Sequence, residues 1–185
     1  DLTNGAKEGN VAFGTLTTIS ESKFQFGLLY AGSDDGKILV SKDGGASWQL
    51  ISGNLPRNLW VSGVAASTHK KERVYATLNG YRNDNFESYA FVSDDFGATW
   101  TSISNGLSQA VNVIVEDSTN ENILYVGTDN GLFISLDKGI TWQDFSNGMP
   151  KVAVHDAVIQ MKAKELIVGT HGRSIYKMDI SKVQE

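Results

Sequence analysis

One eight-residue pattern, S-x-D-x-G-x-[ST]-W, occurs three times in this chain: SKDGGASW from Ser41, SDDFGATW from Ser93 and SLDKGITW from Ser135. Each copy follows a pair of short apolar runs: LLYAGSDDGKILVS (28–41), RVYATLNGYRNDNFESYAFVS (73–93) and NILYVGTDNGLFIS (122–135). A fourth pair, ELIVGTHGRSIYKMD (165–179), has no octet after it. An earlier run precedes each pair, at 13–20, 61–67, 111–117 and 154–161. A further short run follows each octet, at 48–52, 100–104 and 142–146. One unit is therefore four short strands with turn residues between them, and no segment has helical periodicity. The 19 glycines and only 2 prolines suit tight turns between paired strands.

Four-stranded units recurring roughly every 40–50 residues are the pattern of propeller blades. A lone blade cannot bury both faces, so it must stack against neighbours. The predicted fold is all-β: four antiparallel blades at about 10–54, 55–106, 107–149 and 150–182, in one propeller region spanning 1–185. The last unit stops at its third strand. Residues 1–9 are left over and resemble the tail that follows a fourth strand. Two arrangements fit: a closed four-bladed ring completed by that tail, or an arc of a larger ring.

With the strands of a unit named A to D, the octet is the C–D turn. Ser41, Ser93 and Ser135 open it. Asp43, Asp95 and Asp137 sit where a short carboxylate accepts N–H groups of its own turn. Gly45, Gly97 and Gly139 are expected at positive φ. Trp48, Trp100 and Trp142 are expected to pack between blades. Equivalent positions lie apart around a ring, so the three carboxylates are expected to be structural and not a cluster.

Composition narrows the function. The net charge of −5 argues against a partner held through phosphates, so no nucleic acid is expected. No run of 18 apolar residues supplies a membrane span. There is no cysteine, hence no disulfide framework or thiolate metal site, and this does not choose a compartment. The acidic turns at 116–122 and 82–87 lack the spacing of a calcium loop, so no metal and no cofactor is expected. A chain that starts at Asp1 is expected to be processed, trimmed or part of something longer.

The octets resemble Asp-boxes, the BNR repeats of sialidases, of xyloglucan-cleaving and related propeller glycosidases, and of sortilin-type receptors. The segments DLTNG, FGTLTTISES, NGYRND, NILYVGTDNGL and VGTHGRSIY further resemble the C-terminal part of large bacterial sortilin-like BNR-repeat proteins commonly labelled glycosyl hydrolases. That resemblance implies a structural role for the boxes, on the face opposite the ligand site. It also implies an arc of a larger propeller and an extracytoplasmic or secreted location. The chain departs from catalytic members. A sialidase uses three clustered arginines, and only Arg57, Arg73, Arg82 and Arg173 are present. Arg73, in a Lys-Lys-Glu-Arg turn, reads as solvated surface, and His69 beside Lys70 and Lys71 reads as exposed. No motif singles out the two carboxylates that a glycosidase needs.

Candidate site residues lie on the other face, in the B–C and D–A connections. The long B–C loop 79–89 holds Tyr81, Arg82, Asn83, Asp84, Phe86 and Tyr89, a mixture of apolar rings and polar groups suited to sugars. At the starts of the A strands the sequence aligns Gly14, Ser62, Asn112 and His155. His155 and Asp156 read as polar channel lining, with acid–base work as the alternative. His171 and Arg173 in the turn THGR fit either an anion site or a tie between blades. The expected function is a propeller module, without catalysis in this chain, that binds carbohydrate or a protein or peptide ligand beside the remaining blades of a larger protein. The alternative is the C-terminal portion of a glycoside hydrolase whose catalytic residues lie mainly elsewhere.

Overall fold

The computed structural model describes residues 14–146 and 148–185. The leftover segment 1–9, and the blade closure it suggested, lie outside the described residues. Four antiparallel sheets follow in chain order. The first is β1 (Leu16–Glu21), β2 (Leu29–Ser33), β3 (Ile38–Ser41) and β4 (Gln49–Leu50). The second is β5 (Trp60–Ala66), β6 (Val74–Gly80), β7 (Asn85–Ser93) and β8 (Thr101–Ser102). The third is β9 (Val111–Glu116), β10 (Leu124–Thr128), β11 (Gly131–Ser135) and β12 (Gln143–Asp144). The fourth has three strands, β13 (Val154–Gln160), β14 (Glu165–Thr170) and β15 (Ile175–Asp179). In every sheet, spatial order is chain order, because short turns join antiparallel neighbours. One helical turn of 3₁₀ type, Tyr81–Asn83, lies in the long connection between β6 and β7.

The sheets stack face to face, each with the next. β1 and β2 pack on β5, β5 and β6 on β9, and β9 and β10 on β13. Strand alternation explains how each interior sheet serves two cores. On β6, Val74, Ala76 and Leu78 join Tyr30, Ile38 and Val40 of the first sheet, while Tyr75 joins Ile114 and Leu124 of the third. On β10, Leu124 and Val126 face the second sheet, while Tyr125 faces Leu166 and Val168 of the fourth. Every residue of β6 and β10 is therefore buried. Among the described residues the outer sheets are covered on one face only: Leu16 (61 %) and Ile19 (65 %) at one end, and Val158 (56 %) and Ile175 (71 %) at the other, are exposed. Among the described residues the four sheets do not close into a ring, which is the arrangement of part of a larger propeller.

Each octet is closed by bonds among its serine, aspartate, glycine and serine or threonine. Ser93 Oγ donates to Asp95 Oδ1 (2.7 Å) and accepts from the Gly97 N–H (2.7 Å). Asp95 Oδ1 and Oδ2 accept from the N–H (2.9 Å) and hydroxyl (2.6 Å) of Thr99. The same bonds join Ser41, Asp43, Gly45 and Ser47, and Ser135, Asp137, Gly139 and Thr141. The glycines sit at φ 92°, 87° and 88°, where a side chain would be strained. Trp100 Nε1 donates to the Ile51 carbonyl and Trp142 Nε1 to that of Ile103, each bridging to the preceding sheet. Trp48 differs from the sequence expectation. It is 41 % exposed and donates to Gly45 of its own turn, because it belongs to the first sheet and has no earlier one to pack on among the described residues.

Two further expectations are corrected. Arg73 is not solvated: it is buried and holds Asp94 (2.7 Å) and Glu121 (3.0 Å), with Glu116 at 3.8 Å. Burial of a guanidinium demands partners, and three carboxylates on the second and third sheets supply them. His69 is only partly exposed, and its Nε2 bonds the Asp117 carbonyl of the third sheet (2.7 Å). The turn Lys-Lys-Glu-Arg is an inter-sheet joint.

Candidate functional site

All four A strands carry a β-bulge at the same place, next to the turn that follows strand B. The register shifts lie between Leu16 and Thr18, between Val61 and Gly63, opposite Gly127 and Thr128, and between Val154 and Asp156. The four bulged residues are Thr17, Ser62, Asn112 and His155. The sequence alignment put Gly14 at this position of the first strand, three residues too early. The slip arose because apolar alternation alone does not reveal where a bulge adds a residue.

A bulge re-aims its side chain, and here the four converge on one end of the stack. Thr17 Oγ1 donates to the Val61 carbonyl (2.7 Å), and Ser62 Oγ to the Val111 carbonyl (2.8 Å), each the residue before the next sheet's bulge. Asn112 departs from this pattern. Its Oδ1 accepts from Asn79 Nδ2 (2.7 Å) and its Nδ2 donates to Asp129 Oδ1 (2.8 Å). Asn79 Oδ1 in turn accepts the Tyr81 N–H (2.9 Å) and so fixes the start of the helical turn. His155 is exposed, with its ring centroid 5.3 Å from that of His171.

These residues line a cavity of about 730 Å³ that opens on the face opposite the Asp-boxes. Its apolar wall is Trp60, Tyr81 and Phe86, and its polar groups include Asn79, Asn112, Asp129, His155 and His171. Arg82 lies over Trp60, its guanidinium carbon 4.1 Å from the ring centroid, and reaches Asp34 Oδ2 at 3.4 Å. Buried Asp34 also accepts the Gly14 and Thr15 N–H groups (2.7 and 2.8 Å), so Arg82 is held over the ring by a fixed carboxylate.

Of the residues singled out in the sequence, Ser62, Tyr81, Phe86, Asn112, His155 and His171 line the cavity, and Arg82 covers Trp60. Asn83 instead donates to the Asn58 carbonyl (2.9 Å), and Asp84 ends the helical turn at φ 53°. Tyr89 donates to Glu87 (2.7 Å) and stacks on Phe91 (6.4 Å), away from the cavity. Arg173 is exposed in the His171 turn and is not part of the lining. Asp156 accepts its neighbour's N–H (2.9 Å) and is also outside the lining. The sequence reading did not single out Trp60, Asn79 or Asp129. Asp129 had a signal: it is second in TDNG, as Asp34 is in SDDG and His171 in THGR.

The family model of the BNR/Asp-box repeat matches residues 91–102, the box of the second sheet with its flanks. No curated protein matches the chain in sequence. Among solved structures, the GH74 xyloglucanase from Xanthomonas campestris is similar, with TM-score 0.71 at 16 % identity over 90 % of this chain and 29 % of that one. A GH74 enzyme from Niastella koreensis has TM-score 0.67 at 18 % identity over 92 % and 23 %. YCF48 bound to D1 peptide has TM-score 0.62 at 12 % identity over 92 % and 57 %. This chain thus spans less than a third of either GH74 structure, and at these identities the likeness concerns the fold. Three boxes of one geometry, with the family match on the second, show that this chain carries BNR/Asp-box repeats, and the likeness to solved structures gives its fold as part of a propeller.

Proposed function

We propose that this chain is a ligand-binding part of a larger secreted BNR-repeat propeller and takes carbohydrate in the cavity. The observation that carries this reading is the lining. Three aromatic side chains share the lining with a hydrogen-bonded Asn79–Asn112–Asp129 row, which offers flat apolar faces for sugar rings and fixed polar groups for hydroxyls. The volume lies in the range of small-molecule sites. Catalysis in this chain is not part of the proposal. Glycoside hydrolysis uses two carboxyl groups, and the described lining has one, Asp129, which is engaged by Asn112. The likeness to GH74 folds supports a second reading, in which the cavity is a substrate-binding stretch of a larger glycoside hydrolase. Peptide binding is the competing ligand class, favoured by the YCF48 likeness.

The test is binding of xyloglucan oligosaccharides and an arrayed set of other glycans to the purified chain. Tyr81→Ala should weaken binding about five- to tenfold, from the loss of one stacking surface. Asn112→Ala should weaken it further by breaking the polar row. Binding that ignores both substitutions, or that is confined to peptides, would refute the carbohydrate assignment.

A further inference from the structure

We propose that His155 and His171 form a two-histidine clamp for a divalent transition metal, with Zn²⁺ the reference ion, at the rim of the cavity. The fold itself brings the two side chains together. His155 is the bulged residue of β13, the position held by Asn112 in the third sheet. His171 holds the turn position of Asp129. The His171 N–H bonds the Ala153 carbonyl (2.8 Å), as the Asp129 N–H bonds that of Ala110 (3.1 Å). In the third sheet these two positions converge closely enough for a 2.8 Å bond between Asn112 and Asp129. In the fourth sheet the same convergence brings together two imidazoles. The paired backbone at Val154 and Thr170 fixes both attachment points.

The spacing suits a metal. A nitrogen sits about 2.0–2.1 Å from Zn²⁺ and about 1.1–1.2 Å from its own ring centroid. Two rings at a tetrahedral angle then have centroids about 5.2 Å apart. The observed separation is 5.3 Å. Both rings are exposed, and neither has a hydrogen bond or ion pair to another described residue that would need breaking, in contrast to His69. Imidazole nitrogens select zinc, copper or nickel over magnesium or calcium. Among the described residues no cluster of three or more His, Asp or Glu side chains suits a metal, so two of the four tetrahedral positions fall to solvent or to an oxygen of a bound molecule. The clamp stands apart from the carbohydrate proposal, because it requires no sugar.

The experiment is a Zn²⁺ titration of the tag-free chain by calorimetry at neutral pH, repeated with Cu²⁺ by electron paramagnetic resonance to identify nitrogen ligation. One ion per chain is expected. An outer-shell partner alone changes metal affinity about 10–100-fold, so His155→Ala and His171→Ala should each cost about tenfold or more. His69→Ala should change nothing, since that ring lies at the opposite face. Both clamp residues are exposed, and unchanged thermal unfolding of the two variants will exclude misfolding as the cause. No saturable binding to the wild-type chain, or equal binding by the double variant, would overturn the proposal.

Discussion

Glu116 is the most informative residue to remove. Its carboxylate is buried on the third sheet and is shared by four donors of the second: the Ser67 hydroxyl, the N–H and hydroxyl of Thr68, and the Tyr75 hydroxyl at 2.8 Å. Arg73 stands 3.8 Å away. Burial, and then this carboxylate, push the Tyr75 hydroxyl well above the ordinary range, so it remains a donor at any working pH. Glu116→Ala orphans these donors and leaves Arg73 one carboxylate short. Breaking a buried charged network by removing one member costs about 3–5 kcal/mol. For a chain of this length that lowers the unfolding midpoint by about 6–20 °C. Urea denaturation followed by circular dichroism measures the loss. The decisive comparison adds Tyr75→Phe. Alone it removes one bond to a charged group, worth about 1.5–3 kcal/mol. In the Glu116→Ala background the hydroxyl has already lost its acceptor, so removing it should cost nothing or stabilise. A coupling of about 1.5–3 kcal/mol is therefore expected. Equal costs of Tyr75→Phe in both backgrounds would refute the network as a joint between sheets.

Three other outcomes follow from the packing and the boxes. A methyl at Gly127 would run into Val113 of the paired strand and Val154 of the facing fourth sheet, whereas one at Gly169, the equivalent position of the fourth sheet, meets its neighbours at ordinary distance (3.6 Å). Chemical denaturation should give about 1–3 kcal/mol of loss for Gly127→Ala and under about 0.5 kcal/mol for Gly169→Ala. The hydroxyl and N–H of Thr99 hold the Asp95 carboxyl down at about 2, below its ordinary value of 3.8. Its bonds to the ionised form therefore support the fold above pH 3.8 and are lost as pH falls through about 2; a carboxyl-carbon NMR titration giving an ordinary midpoint would contradict the box geometry. Trp100→Phe should cost about 1 kcal/mol through the lost bond to the Ile51 carbonyl, while Trp48→Phe should cost less, since that indole bonds only within its own turn.

The fold was legible because period, strand pairing and turn chemistry all repeat, so that each unit corroborates the next. The fourth sheet was recognisable from ELIVGTHGRSIYKMD although it has no octet. Three kinds of information were not legible. Bulges do not alter the apolar alternation visibly, so Thr17 was passed over for Gly14. Contacts between sheets depend on three-dimensional register, so Arg73 and His69 looked like surface in a lysine-rich turn and are joints. The cavity is assembled from isolated positions on different sheets, such as Asn79, Asn112 and Asp129, whose pairing no local window contains. The 79–89 loop drew attention by its length, yet its tip residues Asn83 and Asp84 are outside the lining while Tyr81 and Phe86 belong to it.

The bonds among the serine, aspartate, glycine and serine or threonine of each Asp-box join residues no more than four apart, whereas the cavity draws on residues from Thr17 to His171. Closing a short loop sacrifices little chain entropy, and long-range pairing much more. During synthesis each box can therefore close as soon as its own hairpin emerges. The cavity has no partial form of comparable use, because its walls arrive with all four sheets in turn. Ligand capture by a nascent or refolding chain would then report completion of the stack, and box formation would report only its beginning.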